Sequence, residues 1–290
     1  MMFLRKMVLA ALGCACLSAC NLINPAEPIP AYIYIPETTF TANYQTQGTS
    51  SARITDVWVF ANDALVGAFE LPALVPIIGS GSTKITISPG IMLNGISNTR
   101  AINNFFTNYT AIRNLIPART DTLIPSLTYT TPINFAWLED FDKVGISLLR
   151  SPTSASEVLR TTQAFEGTQA MLGVATQANR IWQAETSESF AIVRNKPNFL
   201  EINYKSNATL NIGAQILSGS VTQNIPYLSL KSSVDTALKQ PVWKKIYVNL
   251  TPVVNAQPTN ARYKIIFSTI HSESGARNDS VFIDNLKLVN

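Results

Sequence analysis

The sequence predicts an all-β protein. Short runs rich in β-branched and aromatic residues recur along the first half, turn-forming residues separate them, and no stretch there carries a helical period of useful length. A chain of 290 residues exceeds what one small core organises, so two domains are expected, each with its own core. Hydrophobic residues make up 46% of the chain and charged residues 14%, a balance that favours folding, since disorder needs low hydrophobicity and high net charge.

The first segment reads as an export signal. Arg5 and Lys6 precede the apolar run MVLAALGCACL, and small residues follow at a cleavage site. That run is shorter than the roughly 20 apolar residues that span a bilayer. Leu17-Ser18-Ala19-Cys20 resembles a bacterial lipobox. The resemblance implies that residues 1–19 are removed and that the Cys20 thiolate takes a diacylglyceryl thioether as the first residue of the mature chain. Cys14 and Cys16 would leave with the signal, so the mature chain would keep one cysteine and form no internal disulfide. Each buried CH₂ of a lipid chain contributes about 0.8 kcal/mol, and two or three chains on one cysteine hold a protein stably on a bilayer. The expected partner of Cys20 is therefore a membrane, and the expected location is the cell envelope, as an outer-membrane lipoprotein on the periplasmic or surface face. Residues 20–30, with Pro25, Pro28 and Pro30, read as an extended tether.

Strand signals begin at once after the tether. Ile54, Val57 and Val59, then Leu65 to Phe69, flank Ala61-Asn62-Asp63-Ala64, a hairpin with Asn and Asp at its turn. GSGS at Gly79 to Ser82 reads as a flexible turn and does not match a phosphate cradle. Ile85 and Ile87 then alternate with Thr86 and Ser88 ahead of Pro89-Gly90, read as a further turn. Taken in order, ITDVWVFANDALVGAFELP and KITISPGIMLNGISNTR resemble the first domain of uncharacterised lipoproteins from Bacteroidetes-type bacteria. The resemblance implies a small immunoglobulin-like or PEGA-like sandwich over residues 31–134.

A boundary is expected at TPINFAWLEDFDKVG, where a Thr- and Pro-containing stretch gives way to an aromatic and acidic phrase. Four strand-bearing pieces follow: AFEGTQAMLGV, FLEINYKSNATLNIGAQI, WKKIYVNLTPV, and the pair KIIFSTI and SVFIDNLKLV. Their order resembles the jelly roll of galactose-binding-like and carbohydrate-binding modules. It implies a second sandwich over residues 135–290 and a noncatalytic role in binding a glycan or other ligand. Within WKKIYVNL, Trp243, Ile246, Val248 and Leu250 are expected to face inward, with Lys244, Lys245 and Asn249 toward solvent or a loop.

Sugar-binding sandwiches stack exposed aromatic faces on sugar rings and bond the hydroxyls with amides and carboxylates. The aromatic candidates are Trp182, Tyr204, Tyr227 and Trp243, of which Trp182 stands in the otherwise polar, loop-like NRIWQAETSE. No cofactor is required. The jelly-roll resemblance does bring in a structural calcium, with Glu139, Asp140 and Asp142 of LEDFD and Asp284 of FIDN in the matching phrases. Calcium takes roughly six to eight oxygens, so backbone carbonyls would complete the shell. The competing reading gives these carboxylates to turns and strand-end hydrogen bonds.

Other chemistries find little in the string. His271 is the one histidine, near Ser272, Ser274 and Asp279, and the chain has no G-x-S-x-G nucleophile elbow. It has no G-x-G-x-x-G, P-loop or clustered metal-thiol pattern. Removing Arg5 and Lys6 lowers the net charge from +4 to +2, and the densest basic run is Lys244-Lys245, which argues against a nucleic-acid partner. The chain is therefore expected not to be an enzyme, with a polysaccharide as partner. Two alternatives are a structural or adhesive envelope component that docks protein partners through an exposed apolar strand, and, more remotely, a hydrolase.

Overall fold

The computed structural model describes residues 27–272 and 277–290. The signal segment and Cys20 lie outside these residues, as does Ser274. The period-two runs become strands. In the first half these are β1 (Ala31–Ile35), β2 (Thr39–Phe40), β3 (Asp56–Ala61), β4 (Ala64–Glu70), β5 (Ala73–Ile77), β6 (Gly81–Met92), β7 (Arg100–Ile102), β8 (Tyr109–Leu115), β9 (Thr120–Thr122) and β10 (Ser126–Leu127), with a single-turn helix α1 (Tyr44–Gln47). A three-stranded sheet, β5-β1-β9, faces a five-stranded one in which β4-β3-β6-β7 is extended by β8 on β6. Alternate residues of each sheet point into the gap, so Ile33, Ile35 and Val75 meet Val57, Val59, Ile85 and Ile87 as a buried core.

The Asn62-Asp63 hairpin forms as expected, with both residues at positive φ (48° and 67°), a conformation that Asn and Asp tolerate. Pro89-Gly90 is not a turn: β6 runs straight through it. The pairing explains why the strand survives a proline. One edge of β6 pairs with β8 up to Ile87 and with β7 only from Gly90 onward, so the missing N–H of Pro89 falls between the two partners. Gly90 is required for another reason, because a Cβ there would stand 2.1 Å from the Asp56 Oδ2 on the neighbouring strand.

The second half contains β11 (Phe135–Glu139), β12 (Leu148–Arg150), β13 (Leu159–Thr161), β14 (Ala170–Ala175), β15 (Ile181–Thr186), β16 (Phe190–Ala191), β17 (Phe199–Ser206), β18 (Leu210–Ser218), β19 (Val221–Leu230), β20 (Lys244–Asn249), the short helix α2 (Thr251–Asn255), β21 (Arg262–Ile270) and β22 (Asp279–Val289). One sheet runs β13-β14-β22-β17-β20, with β11 also on β22. The other runs β12-β15-β21-β18-β19, with β16 also on β21. Ile202, Ile246, Val248, Ile283 and Leu288 of the first sheet pack on Trp182, Ala184, Ile212, Ile265 and Phe267 of the second. The protein is thus all-β, built as two sandwiches.

A third cluster joins the halves. Phe105, Phe106 and Tyr129 pack against Phe199, Tyr247 and Val289 on the outer face of the β17-β20-β22 region. Phe105 meets Phe199 edge-on with ring centroids 5.2 Å apart, and Phe106 meets Tyr247 at 6.1 Å. Asn94 in the turn after β6 fixes the contact by donating its N–H to Tyr247 O (2.8 Å) and accepting from the N–H of Asn249 through Oδ1 (2.8 Å).

Candidate functional site

The site is best built row by row across the outer face of the β13-β14-β22-β17-β20 sheet. Along β17 the period of two turns Leu200, Ile202 and Tyr204 into the core and leaves Phe199, Glu201, Asn203 and Lys205 outside. On β20, Lys245, Tyr247 and Asn249 share that outer face. On β22 the register against β17 shifts between Glu201 and Asn203, where Asn285 takes a positive φ of 49°. The bulge puts Phe282 and Asp284 outward on one side of it and Lys287 and Val289 outward on the other. Three strands therefore present matched rows: Glu201, Tyr247 and Lys287, then Asn203, Lys245 and Asp284, then Lys205 beside Phe282.

The first sandwich covers the first two rows. Glu201 pairs with Lys245 (3.2 Å), accepts from the Tyr129 hydroxyl (3.0 Å) and is buried, as is Lys245. The Lys287 ammonium donates to Tyr129 Oη (3.1 Å) and to the Thr49 carbonyl (2.5 Å), and Ser51 donates to Asn203 Oδ1 (2.9 Å). Lys245 points outward, as the expectation of solvent or a loop requires, and it is buried because the first half sits on it. The same alternation also places Trp243 away from Ile246, Val248 and Leu250, contrary to the inward assignment.

The last row stays open. Leu159, Leu172, Phe282 and Lys205 follow one another across β13, β14, β22 and β17, paired strand to strand. Trp243, just before β20, closes the row: its ring centre lies 6.4 Å from that of Phe282 and 5.9 Å from that of Phe165, both edge-on. The Lys205 ammonium stands 4.3 Å from the Phe282 ring centre and 5.2 Å from that of Trp243, and donates to Gln163 Oε1 at 3.2 Å. Burial lowers the pKa of that ammonium. Phe165 is 42% exposed and Leu159 47%, while Trp243 and Phe282 are half-buried. Flat apolar faces beside a cation and an amide suit a ligand with one apolar face and hydroxyls around its rim.

Asp284 positions this surface from below. Its Oδ2 accepts the backbone N–H groups of Phe165 (2.8 Å) and Glu166 (3.2 Å), which holds the loop that carries the Phe165 ring, and its Oδ1 accepts from Asn285 N (2.8 Å). Burial pushes the Asp284 carboxyl up to about 6, the neighbouring Asp142 adds to the rise, and the three N–H groups pull against it. An acid with a raised folded pKa stabilises the fold most when protonated. Its contribution is full below the ordinary 3.8 and is lost as pH rises through about 6. Denaturant midpoints measured from about pH 4 to about pH 7 should show that decline, and Asp284→Asn, which carries no titrating group, should flatten it.

The other aromatic candidates are elsewhere. Trp182 is 0% exposed in the second core, its indole N–H donating to Glu157 O at 3.1 Å and its ring lying over Gly173, so it offers no platform. Tyr204 faces inward at 5% exposure, and Tyr227 is half-buried on β19, its hydroxyl donating to Asn249 O (2.5 Å). Phe165, Phe282 and Lys205 were missed, although counting in twos from Asp284 back to Phe282, and from Glu201 on to Lys205, places both on one face.

Glu139, Asp140, Asp142 and Asp284 do not gather into a calcium ligand set. Among the described residues no three His, Cys, Asp or Glu side chains gather as metal ligands. Glu139 accepts from Phe141 N (2.9 Å) through Oε1, and from Ser147 N (2.6 Å) and Ser147 Oγ (2.5 Å) through Oε2. Asp142 Oδ1 accepts from Thr168 N and Oγ1 (both 2.8 Å) and Gln169 N (2.9 Å), and Asp140 accepts from the Tyr44 hydroxyl (2.5 Å). Oxygens committed to N–H and O–H donors are turn and loop braces and do not suit a cation. His271 is buried with Nδ1 3.2 Å from Asp279 Oδ2, a local brace after β21.

No protein-family model matches the sequence, and no curated protein sequence does. Solved structures similar in outline are carbohydrate-binding modules. A xylan-binding domain of family 22 is 12% identical over 53% of this chain and 93% of its own, with a TM-score of 0.36. A module specific for non-crystalline cellulose is 14% identical over 53% and 94%, at 0.37. A structure of carbohydrate-binding modules from the β-sandwich superfamily is 14% identical over 91% and 99%, at 0.43. At such scores the likeness reaches no further than strand layout, and no ligand is carried over from it.

Proposed function

We propose that the protein is a noncatalytic binding module that holds a glycan on the open row of its larger sandwich, with a lipid on Cys20 tethering it to the cell envelope. One observation carries the glycan reading: the half-exposed rings of Trp243, Phe165 and Phe282 converge on one side of a sheet with the Lys205 ammonium among them. The rings supply stacking surface, and Lys205 with Gln163 supplies hydrogen bonds to hydroxyls. An adhesive surface would instead present an exposed apolar strand with no aromatic-lined face. The first sandwich fits an immunoglobulin-like or PEGA-like spacer between tether and binding face.

Affinity electrophoresis over a panel of soluble polysaccharides tests the reading. Trp243→Ala should weaken retention about tenfold or more on the retained polymer and leave the melting temperature near the parent value, because the ring is half-exposed. Retention on no polymer, or retention unchanged in Trp243→Ala, would sink it. The anchor is tested separately: Cys20→Ser should abolish labelling by a radioactive fatty acid and release the protein from membranes, and unchanged membrane retention would refute it.

A further inference from the structure

A groove of about 460 Å³ lies at the outer edge of β20, between the two halves, within the roughly 300 to 1,000 Å³ range of small-ligand clefts. Arg53 and the Met92 to Ile96 turn form one wall, while Tyr204, Lys231 and Lys244 form the other. Both walls are held in place. Arg53 N donates to the Tyr247 hydroxyl (2.8 Å), Asn94 is bonded twice to β20, and Gly95 lies against Ile246, where a Cβ would stand 3.0 Å from Cγ2.

The lining of the groove is basic, with Glu201 beneath it facing Lys245 and Asp235 near enough to Lys244 to feel its charge. Arg53, Lys231, Lys244 and Lys245 all line it, and no Asp or Glu is among its described lining residues. Arg53 and Lys231 are exposed and Lys244 half-exposed, and none of the three forms an ion pair among the described residues. Lys245 lies beneath them, 6% exposed, its ammonium near Glu201 but without a hydrogen-bond partner. Like charges gathered in a concave, partly desolvated space focus a positive potential and favour an anion there. At β20 the groove adjoins the aromatic row, because Lys244 follows Trp243 directly in the chain.

We infer that this groove binds an acidic group, a carboxylate or a sulfate ester, of the saccharide whose neutral rings stack on Trp243; the inference rests on the glycan reading of the aromatic row. The saccharide passes around the start of β20, its rings on one side and its acidic group on the other, so the preferred glycans are acidic.

The test compares the full mature chain on polygalacturonate and its methyl ester, and on dextran sulfate and dextran, at about 50 mM salt, where screening is weak. The acidic polymers should bind at least about tenfold more tightly than their neutral counterparts, and Arg53→Gln with Lys231→Gln should erase that preference while leaving neutral binding unchanged. Both residues are exposed, so the melting temperature should hold. Preference for only one acidic polymer identifies the group as carboxylate or sulfate. Equal binding of acidic and neutral forms, or a preference that survives the double variant, overturns the inference while leaving the aromatic row intact. Acid-dependent binding lost in the double variant but untouched by Trp243→Ala upholds the groove and overturns the aromatic row. Duplex DNA competing as well as dextran sulfate marks an unselective polyanion surface and overturns the inference.

Discussion

Glu201→Ala is expected to lower the stability of the protein by about 3 to 5 kcal/mol, the usual cost of leaving buried charge without its partner. Glu201 is 1% exposed, and it is the acid that faces both Lys245 and Lys287 where the halves meet. Burial already pulls the Lys287 ammonium down to about 8, Glu201 pulls it back up, and Lys245 pushes it down further. Without the carboxylate, two ammonium groups face each other in a dry seam, and Tyr129 loses the acceptor for its hydroxyl. Urea denaturation reads the effect as a lower midpoint. Glu201→Leu combined with Lys245→Met should recover much of the loss, because an apolar pair of similar volume often replaces a buried ion pair without penalty. A Glu201→Ala midpoint within about 0.5 kcal/mol of the parent would show that the seam does not depend on this charge.

Gly173→Ala should be comparably damaging. The ring of Trp182 on β15 lies against the backbone of Gly173 on β14, and a Cβ there would stand 2.3 Å from Cε2 and 2.4 Å from Cδ2. A ring in a fully buried site has no free space to retreat into, so overpacking is expected to cost about 1 to 3 kcal/mol or more. Trp182→Ala removes the same contact from the other side and leaves a cavity, at about 3 to 5 kcal/mol. The pair can be separated from general damage by a cycle: in a Trp182→Phe background the smaller ring leaves room, and Gly173→Ala should cost much less than in the parent. An equal cost in both backgrounds would place the strain somewhere other than this contact.

The strands were legible because their cause is local. Alternation in ITDVWVF, KITIS and FLEINYK marks the face of each strand that enters its sandwich core, and Asn62-Asp63 carries its own turn preference. Pro89-Gly90 misled because a proline in a strand is harmless only where the neighbouring partner is absent, and that gap is set by β7 and β8 far along the chain. The choice between Trp182 and Trp243 was illegible for a similar reason. One ring is buried by a glycine on another strand, and the other is left open because the first sandwich stops one row short of it. The bulge at Asn285 decides which residues of β22 share the open face, and nothing in SVFIDNLKLV marks it except an asparagine able to take positive φ. The acidic phrases allowed two readings, cation ligands or turn and strand-end braces, and the hydrogen bonds from backbone and hydroxyl donors favour the second.

The seam between the halves also sets how the molecule transmits force. Its short connection is itself bonded, with Asn134 and Asn290 exchanging N–H to carbonyl bonds in both directions (3.1 and 3.0 Å), and the rings of Phe105, Phe106 and Tyr129 are wedged against Phe199, Tyr247 and Val289 of the second half. A load applied at Trp243 therefore passes to the amino-terminal half through these bonded and packed contacts. In that half β1 lies between β5 and β9, so tension along it loads bonds on both edges together. The chain thus enters the first sandwich on a strand held from both sides.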